Sequence, residues 1–145
     1  GVDMNQMADA LDDFERRGRL RGASTISMQT ARNLYLWPGG GIFRKALEVP
    51  IALMLELLMS KQRIITLYLD IIEWGDGIYG AEAAARHYFH RPAASLSQHE
   101  AALLAAVLPN PRRWSPAEPD RYIRDRAAVI EGRMGKLDAY YRCLR

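Results

Sequence analysis

Apolar positions recur at three- and four-residue intervals along nearly the whole chain, and no stretch alternates apolar with polar residues as a half-buried strand would. The pattern predicts an all-α domain. Met4, Met7, Leu11 and Phe14 form the stripe of a first amphipathic helix that breaks near Gly18. Ser24 or Thr25 stands where it can cap a second helix, which runs through Met28 and Arg32 toward Tyr35, because either hydroxyl can accept a free amide of the first turn. Residues 34–43 read as a sticky loop, combining large apolar side chains with Pro38 and three glycines and carrying no charge. Residues 47–59 are apolar on nearly every side apart from Glu48 and Glu56, which predicts a helix buried in the middle of the domain, with Pro50 in its first turn or at a kink.

A further core helix is predicted over residues 61–74, with Ile64, Leu67, Tyr68, Ile71 and Ile72 on one face, ending at the stop and turn signal Gly75-Asp76-Gly77. Residues 81–89 are rich in alanine and suit close packing. Ser97 and Glu100 have capping-box spacing and open an apolar helix that runs to Leu108. Four of the seven prolines crowd into residues 109–119, a rigid connector, after which a basic helix of about 20 residues begins near Asp120.

Length and composition narrow the class. A chain of 145 residues with 49% hydrophobic and 26% charged residues fits one folded domain, and Cys143 alone can form neither an intrachain disulfide nor a cysteine-rich zinc site. The longest uncharged runs, residues 33–43 and 101–111, are each 11 residues, against the roughly 20 that a membrane-spanning helix needs. Residues 3–15 carry five acids and no base, whereas residues 121–145 carry seven bases against three acids. With a net charge of +3, that basic end suits phosphates or an anionic membrane surface. Gly1 is no initiator and no signal segment follows it, so the chain reads as a piece of a longer one.

Several groups are candidates for chemistry. Glu48 lies four residues after Arg44 and three after Lys45, where neighbouring cations favour a charged carboxylate; the set is either an ion pair at a helix start or the charged floor of a site with Arg44 and Lys45 as phosphate ligands. Ser24, Thr25, Ser27, Gln29, Arg32 and Asn33 surround a capped helix start, either as ordinary capping with a solvated face or as an anion site. Arg112, Arg113 and Trp114 form a weak nucleic-acid patch with no supporting motif, so no nucleic-acid partner is expected. His87, His90 and His99 lack metal-binding spacing. Glu73 and Asp76, flanking a turn, are a glycosidase-like pair of acids.

Together these segments resemble the family 51 peptidoglycan glycosyltransferases, in the order and spacing of the monofunctional bacterial members. Gly22-Ala23-Ser24-Thr25-Ile26-Ser27-Met28-Gln29-Thr30-Ala31-Arg32-Asn33 is similar to the motif G-x-S-T-I-x-x-Q-x-x-K-N, and Arg44-Lys45-Ala46-Leu47-Glu48 matches R-K-x-x-E. Lys61-Gln62-Arg63-Ile64-Ile65-Thr66-Leu67-Tyr68-Leu69-Asp70 resembles K-x-x-I-L-x-x-Y-L-N, Arg126 falls where the last motif has its arginine, and residues 101–111 are family-like.

The resemblance implies a lysozyme-like helical domain that polymerises lipid II, the 4-hydroxyl of one lipid-linked disaccharide attacking the anomeric carbon of a growing chain with inversion and loss of a lipid diphosphate. It implies Glu48 as a catalytic carboxylate, Arg32, Lys45 and Arg126 as diphosphate or sugar ligands, and Ser24, Gln29 and Asn33 as cleft residues, with Thr25 and Arg44 in the same substrate-binding set. It further implies a general-base glutamate just upstream of Gly1-Val2-Asp3, a membrane anchor before that, and a place on the periplasmic face of the bacterial inner membrane. Lipid II, the growing glycan, the membrane surface and cell-wall synthases are the implied partners. No cofactor is required, although a divalent cation such as Mg²⁺ assists members of the family. Arg32 stands in place of the usual Lys, Asp70 of Asn, Met28 of a frequent Gln and Gly40 of a frequent Arg. Two other readings compete: a noncatalytic module that binds lipid II or synthesis partners, and a lysozyme-type hydrolase using Glu48 with Glu73 or Asp76.

Overall fold

The structure, a computed structural model, describes residues 25–36 and 41–135, with the side chains of residues 41–43 and 45 left out. The Met4–Phe14 stripe, Ser24, Trp37, Gly40 and everything after Gly135 lie outside the described residues. What is described is predominantly helical, as the periodicity predicts, and groups into two compact units that divide between Tyr68 and Leu69.

In the first unit, helix α1 is Ile26–Tyr35. Thr25 caps it, its hydroxyl accepting the Met28 amide at 3.3 Å, and Arg32 sits in the last turn, where a cation complements the helix dipole. Helix α2, Gly41–Leu58, starts earlier than its apolar run suggests, so residues 41–43 of the expected loop are helix and Pro50 falls well inside rather than in the first turn. The pair Arg44 and Glu48, one turn apart, supports helix in that upstream stretch. Helix α3, Lys61–Ile71, begins after Ser60, whose hydroxyl accepts the Arg63 amide at 3.2 Å.

Met28 and Ala31 of α1, Ala52 and Leu55 of α2 and Ile64 of α3 form one core, with Val49, Ile51 and Met59 packed against it. The expectation that α2 is buried all round is incorrect. One stripe is buried, while Leu53, Met54, Leu57 and Leu58 face outward, Leu57 at 86% exposure. Apolar composition alone does not distinguish a helix surrounded by protein from one with an open apolar face.

The second unit opens with the one departure from all-helical structure among the described residues. Strands β1, Glu73–Gly75, and β2, Ile78–Tyr79, pair antiparallel around Asp76-Gly77, with Gly77 at φ 74°. The predicted turn is present, but α3 stops at Ile71 and Trp74 is a strand residue rather than the end of a helix. An Asp-Gly turn favours a two-residue hairpin. Gly80, at φ 87°, leads into α4, Ala81–Phe89; a Cβ there would lie 2.8 Å from the Asp70 carbonyl oxygen.

After a 3₁₀ turn at Ala93–Ser95, Ser97 and Glu100 form the predicted capping box at the start of α5, Gln98–Val107. Asp120 caps α6, Arg121–Met134, by accepting the Ile123 amide at 2.8 Å. Ala102, Leu103, Ala106 and Val107 pack against Ile123 and Ala127, so small residues bring α5 and α6 together.

Candidate active site

Glu48 occupies the inward stripe of α2, one turn before Ala52 and seven residues before Leu55. Its side chain is 1% exposed. Arg44 Nε lies 3.8 Å from Glu48 Oε1, and this nitrogen is buried without a hydrogen-bond partner. The geometry shows the ion pair that the sequence offered as one of its two readings. A buried carboxylate is held beside a guanidinium whose Nε keeps unused donor capacity. Lys45 is on the same helix, but its side chain lies outside the described set.

The α1–α2 pair is antiparallel, since Ser27 at the start of α1 donates to Glu56 near the end of α2. At about 1.5 Å rise per residue, Glu48 sits roughly 12 Å back along α2 from Glu56, at the level of the last turn of α1. That turn carries Arg32, half-buried, and Asn33, exposed. One turn earlier, Gln29 Oε1 accepts a 3.2 Å hydrogen bond from the Tyr68 hydroxyl. Burial pushes the Tyr68 phenol above its ordinary pKa, and the Arg32 charge acts in the opposite direction. Thr25 stands at the other end of α1, with its hydroxyl engaged in the cap.

Of the expected site residues, Gln29, Arg32, Asn33, Arg44 and Glu48 are therefore carried by the packed pair α1 and α2. Ser24 lies outside the described residues. Arg126 belongs to the second unit, on the exposed side of α6.

Two polar features were not read as such from the sequence. Tyr68 falls within an apolar stripe and reads as core, although a buried tyrosine needs a partner for its hydroxyl, and that need was the available signal. Glu56 joins Ser27 of α1 to Lys61 at the start of α3, binding three helices through one carboxylate. An apolar groove of about 290 Å³ is lined by Tyr35 of α1, Ile51, Met54, Leu55 and Leu58 of α2, and Met59.

The competing candidates are occupied elsewhere. Glu73 accepts from Arg112 Nε through both oxygens, at 3.1 and 3.2 Å, and from the Gly77 amide, so it pins the ribbon to the proline-rich connector. This also commits Arg112, while Trp114 leans on Tyr122 at 5.3 Å and packs into the α5–α6 core. His99 bonds Glu131 at 3.0 Å, tying α5 to α6. Among the described residues no three His, Cys, Asp or Glu side chains gather as a metal site.

The family described as Transglycosylase matches residues 1–135 of the chain. The chain belongs to the transglycosylase family. Its relatives include biosynthetic peptidoglycan transglycosylases of Rhodospirillum centenum, 59% identical over 92% of this chain and 58% of that protein, and of Stutzerimonas stutzeri, 53% identical over 94% and 57%. The corresponding protein of Brucella suis is 50% identical over all of this chain and 65% of its own length. The chain thus spans about three-fifths of the curated relatives it matches. Membership in the transglycosylase family agrees with the motif resemblance, and the helical class expected of a lysozyme-like transglycosylase is the one observed.

Proposed function

We propose that this chain carries the glycan-polymerising site of a peptidoglycan transglycosylase, joining lipid II units with inversion at the anomeric carbon and release of a lipid diphosphate. The observation that carries the reading is the buried Glu48 beside Arg44 on a helix packed against the one bearing Gln29 and Arg32. Expulsion of a diphosphate needs fixed positive charge where negative charge accumulates, and preorganised groups in a dry site are worth far more than the same groups in water. Glu48 holds Arg44 in place, and Arg44, Lys45 and Arg32 supply the charge, with Ser24, Thr25, Gln29 and Asn33 along the sugar; for Arg126 a ligand role rests on the motif resemblance alone. A base removes the proton from the attacking 4-hydroxyl. The reading assigns that role to a glutamate upstream of Gly1.

The proposed reaction requires no cofactor, and a divalent cation such as Mg²⁺ would assist it beside the diphosphate. The substrate and the growing strand are lipid-linked, so the site works at a membrane surface, proposed as the periplasmic face of the inner membrane beside other cell-wall synthases. Among the described residues no helix is long and apolar enough to cross a membrane.

The deciding experiment is lipid II polymerisation by this chain and by a version extended upstream to the length of its relatives, each with and without Glu48→Gln. Polymer from the extended chain that disappears with Glu48→Gln supports the reading. Lipid II binding without polymer from either version supports a noncatalytic module, and reducing ends released from finished peptidoglycan support a hydrolase.

A further inference from the structure

We propose that the apolar groove between Tyr35 and α2 seats the chain's own upstream stripe, Met4, Met7, Leu11 and Phe14, which lies outside the described residues. The groove walls are uncharged, and two of them, Met54 at 58% and Leu58 at 75% exposure, leave most of their surface in water. Apolar surface held open to water is unfavourable in proportion to its area, so a segment that covers it stabilises the chain. The volume, about 290 Å³, lies at the lower limit of small-molecule pockets, which run from roughly 300 to 1,000 Å³. Ile51, Met54 and Leu58 recur after three and four residues, the spacing that receives another helix rather than a compact ligand.

Spacing, reach and charge select this occupant. The upstream stripe also recurs at three- and four-residue intervals and as a helix is about 15 Å long, against about 12 Å from Ile51 to Met59, at about 1.5 Å per residue. Ser27 donates to Glu56, so the chain enters α1 beside the Leu58 and Met59 end of the groove. Residues 15–24, between the stripe and Thr25, can extend up to about 35 Å, more than twice the length of the groove, and Gly18 and Gly22 allow them to turn back. Residues 3–15 carry five acids and no base, while Lys61 and Arg63 stand exposed just past Met59, at the start of α3. An acidic segment therefore meets opposite charge where the groove ends.

The test uses the full chain in a Cys143→Ser background, with Met7→Cys or Leu11→Cys combined with Met54→Cys or Leu58→Cys. Mild oxidation should close an intramolecular disulfide in at least one of these pairs, read by mass spectrometry. Pairs that use Leu57→Cys, on α2 but not among the groove walls, should close about ten-fold more slowly, because the bond needs Cβ atoms within about 4.5 Å. No closure in any pair, or equal closure at Leu57, overturns the proposal. In a second readout, Leu58→Cys alone should react with a maleimide about ten-fold faster once Met7→Asp and Leu11→Asp break the stripe. An unchanged rate overturns the proposal. So do disulfides between chains, which would seat a second copy in the groove, and protection of Leu58→Cys gained only on adding vesicles of phosphatidylethanolamine and phosphatidylglycerol, which would seat a lipid surface there. Crosslinking decides the matter if the aspartate variant does not fold. Neither readout requires lipid II, so failure of the polymerisation reading leaves the outcome intact.

Discussion

In the unit ending at Tyr68, Ser27, Thr30 and Glu48 are buried while Leu53, Met54, Leu57 and Leu58 face outward. In the unit beginning at Leu69, Ala102, Leu103, Ala106, Val107, Ile123 and Ala127 fill the core, and Glu82, Arg86, Arg112 and Arg121 lie outside. The second arrangement is what burial energetics favours, since apolar area leaves water and charge stays in it. The first departs from it at both surfaces, inside and out. Local rules of folding are broken where a site demands it, and the rest of the molecule compensates. On the proposed reading the first unit holds the catalytic carboxylate Glu48, while the second has a conventional core.

The largest effect that would break this contrast is chemical. Glu48→Gln keeps volume and removes charge, and polymerisation by the extended chain should fall by about 100-fold or more, whereas Glu82→Gln in the second unit should leave the rate unchanged. Equal losses would abolish the division. Next in size is Ile123→Ala. This side chain is fully buried between α5 and α6, and its truncation should cost about 2–5 kcal/mol in denaturant unfolding. Leu57→Ala on the open face of α2 should change stability by no more than about 0.5 kcal/mol. A comparable cost at Leu57 would mean that its face is covered in solution.

What was legible in the sequence follows the same division. In the second unit local signals agree with one another: Ser97 three residues before Glu100 gives α5 nearly at its observed bounds, the alanine-rich residues 81–89 coincide with α4, and Asp120 marks the start of α6, which at 14 residues is shorter than the expected 20 or so. The β-ribbon escaped because two strands of three and two residues are too short to show alternation. In the first unit the signals conflict. Leucines on every side of α2 concealed which face is open, and glycines before Arg44 resembled a loop although the helix already begins at Gly41. Glu48 with Arg44, and Gln29 with Arg32, were legible as two separate polar groups, joined only by the resemblance to the family's motifs. The hydrogen bond of Tyr68 was not, since its partner Gln29 is 39 positions away, and spacing along one helix cannot show it.

A smaller prediction sharpens the account of the second unit. Ser97→Ala removes the acceptor for the Glu100 amide, found at 3.2 Å, and should cost about 1 kcal/mol in thermal or denaturant unfolding. Ser97→Asp should restore most of it, because an aspartate accepts the same bond and its charge complements the helix start. Failure of that rescue would mean that Ser97 contributes through packing instead of capping.

The smallest effect concerns acid. The Ala93 amide, and after it Arg86, holds the Glu82 carboxyl below its ordinary pKa, while the Ser97 amide and then its hydroxyl do the same for Glu100. A carboxyl with a lowered folded pKa binds fewer protons folded than unfolded in the interval between the two values, so stability rises with pH there. Each contribution is complete above the ordinary value of 4.5 and disappears as pH falls through the folded value. Glutamine at both positions keeps an oxygen acceptor for each amide but removes the charge that strengthens the bond. Melting temperature followed from pH 7 to pH 3 should therefore separate wild type from the Glu82→Gln, Glu100→Gln double variant above about pH 5, with the two curves converging at the acid end. A gap that stays constant with pH would show that neutral hydrogen bonding accounts for these two ties. Convergence would show that, in the second unit, exposed carboxylates stabilise the fold through the helix starts and turns they hold.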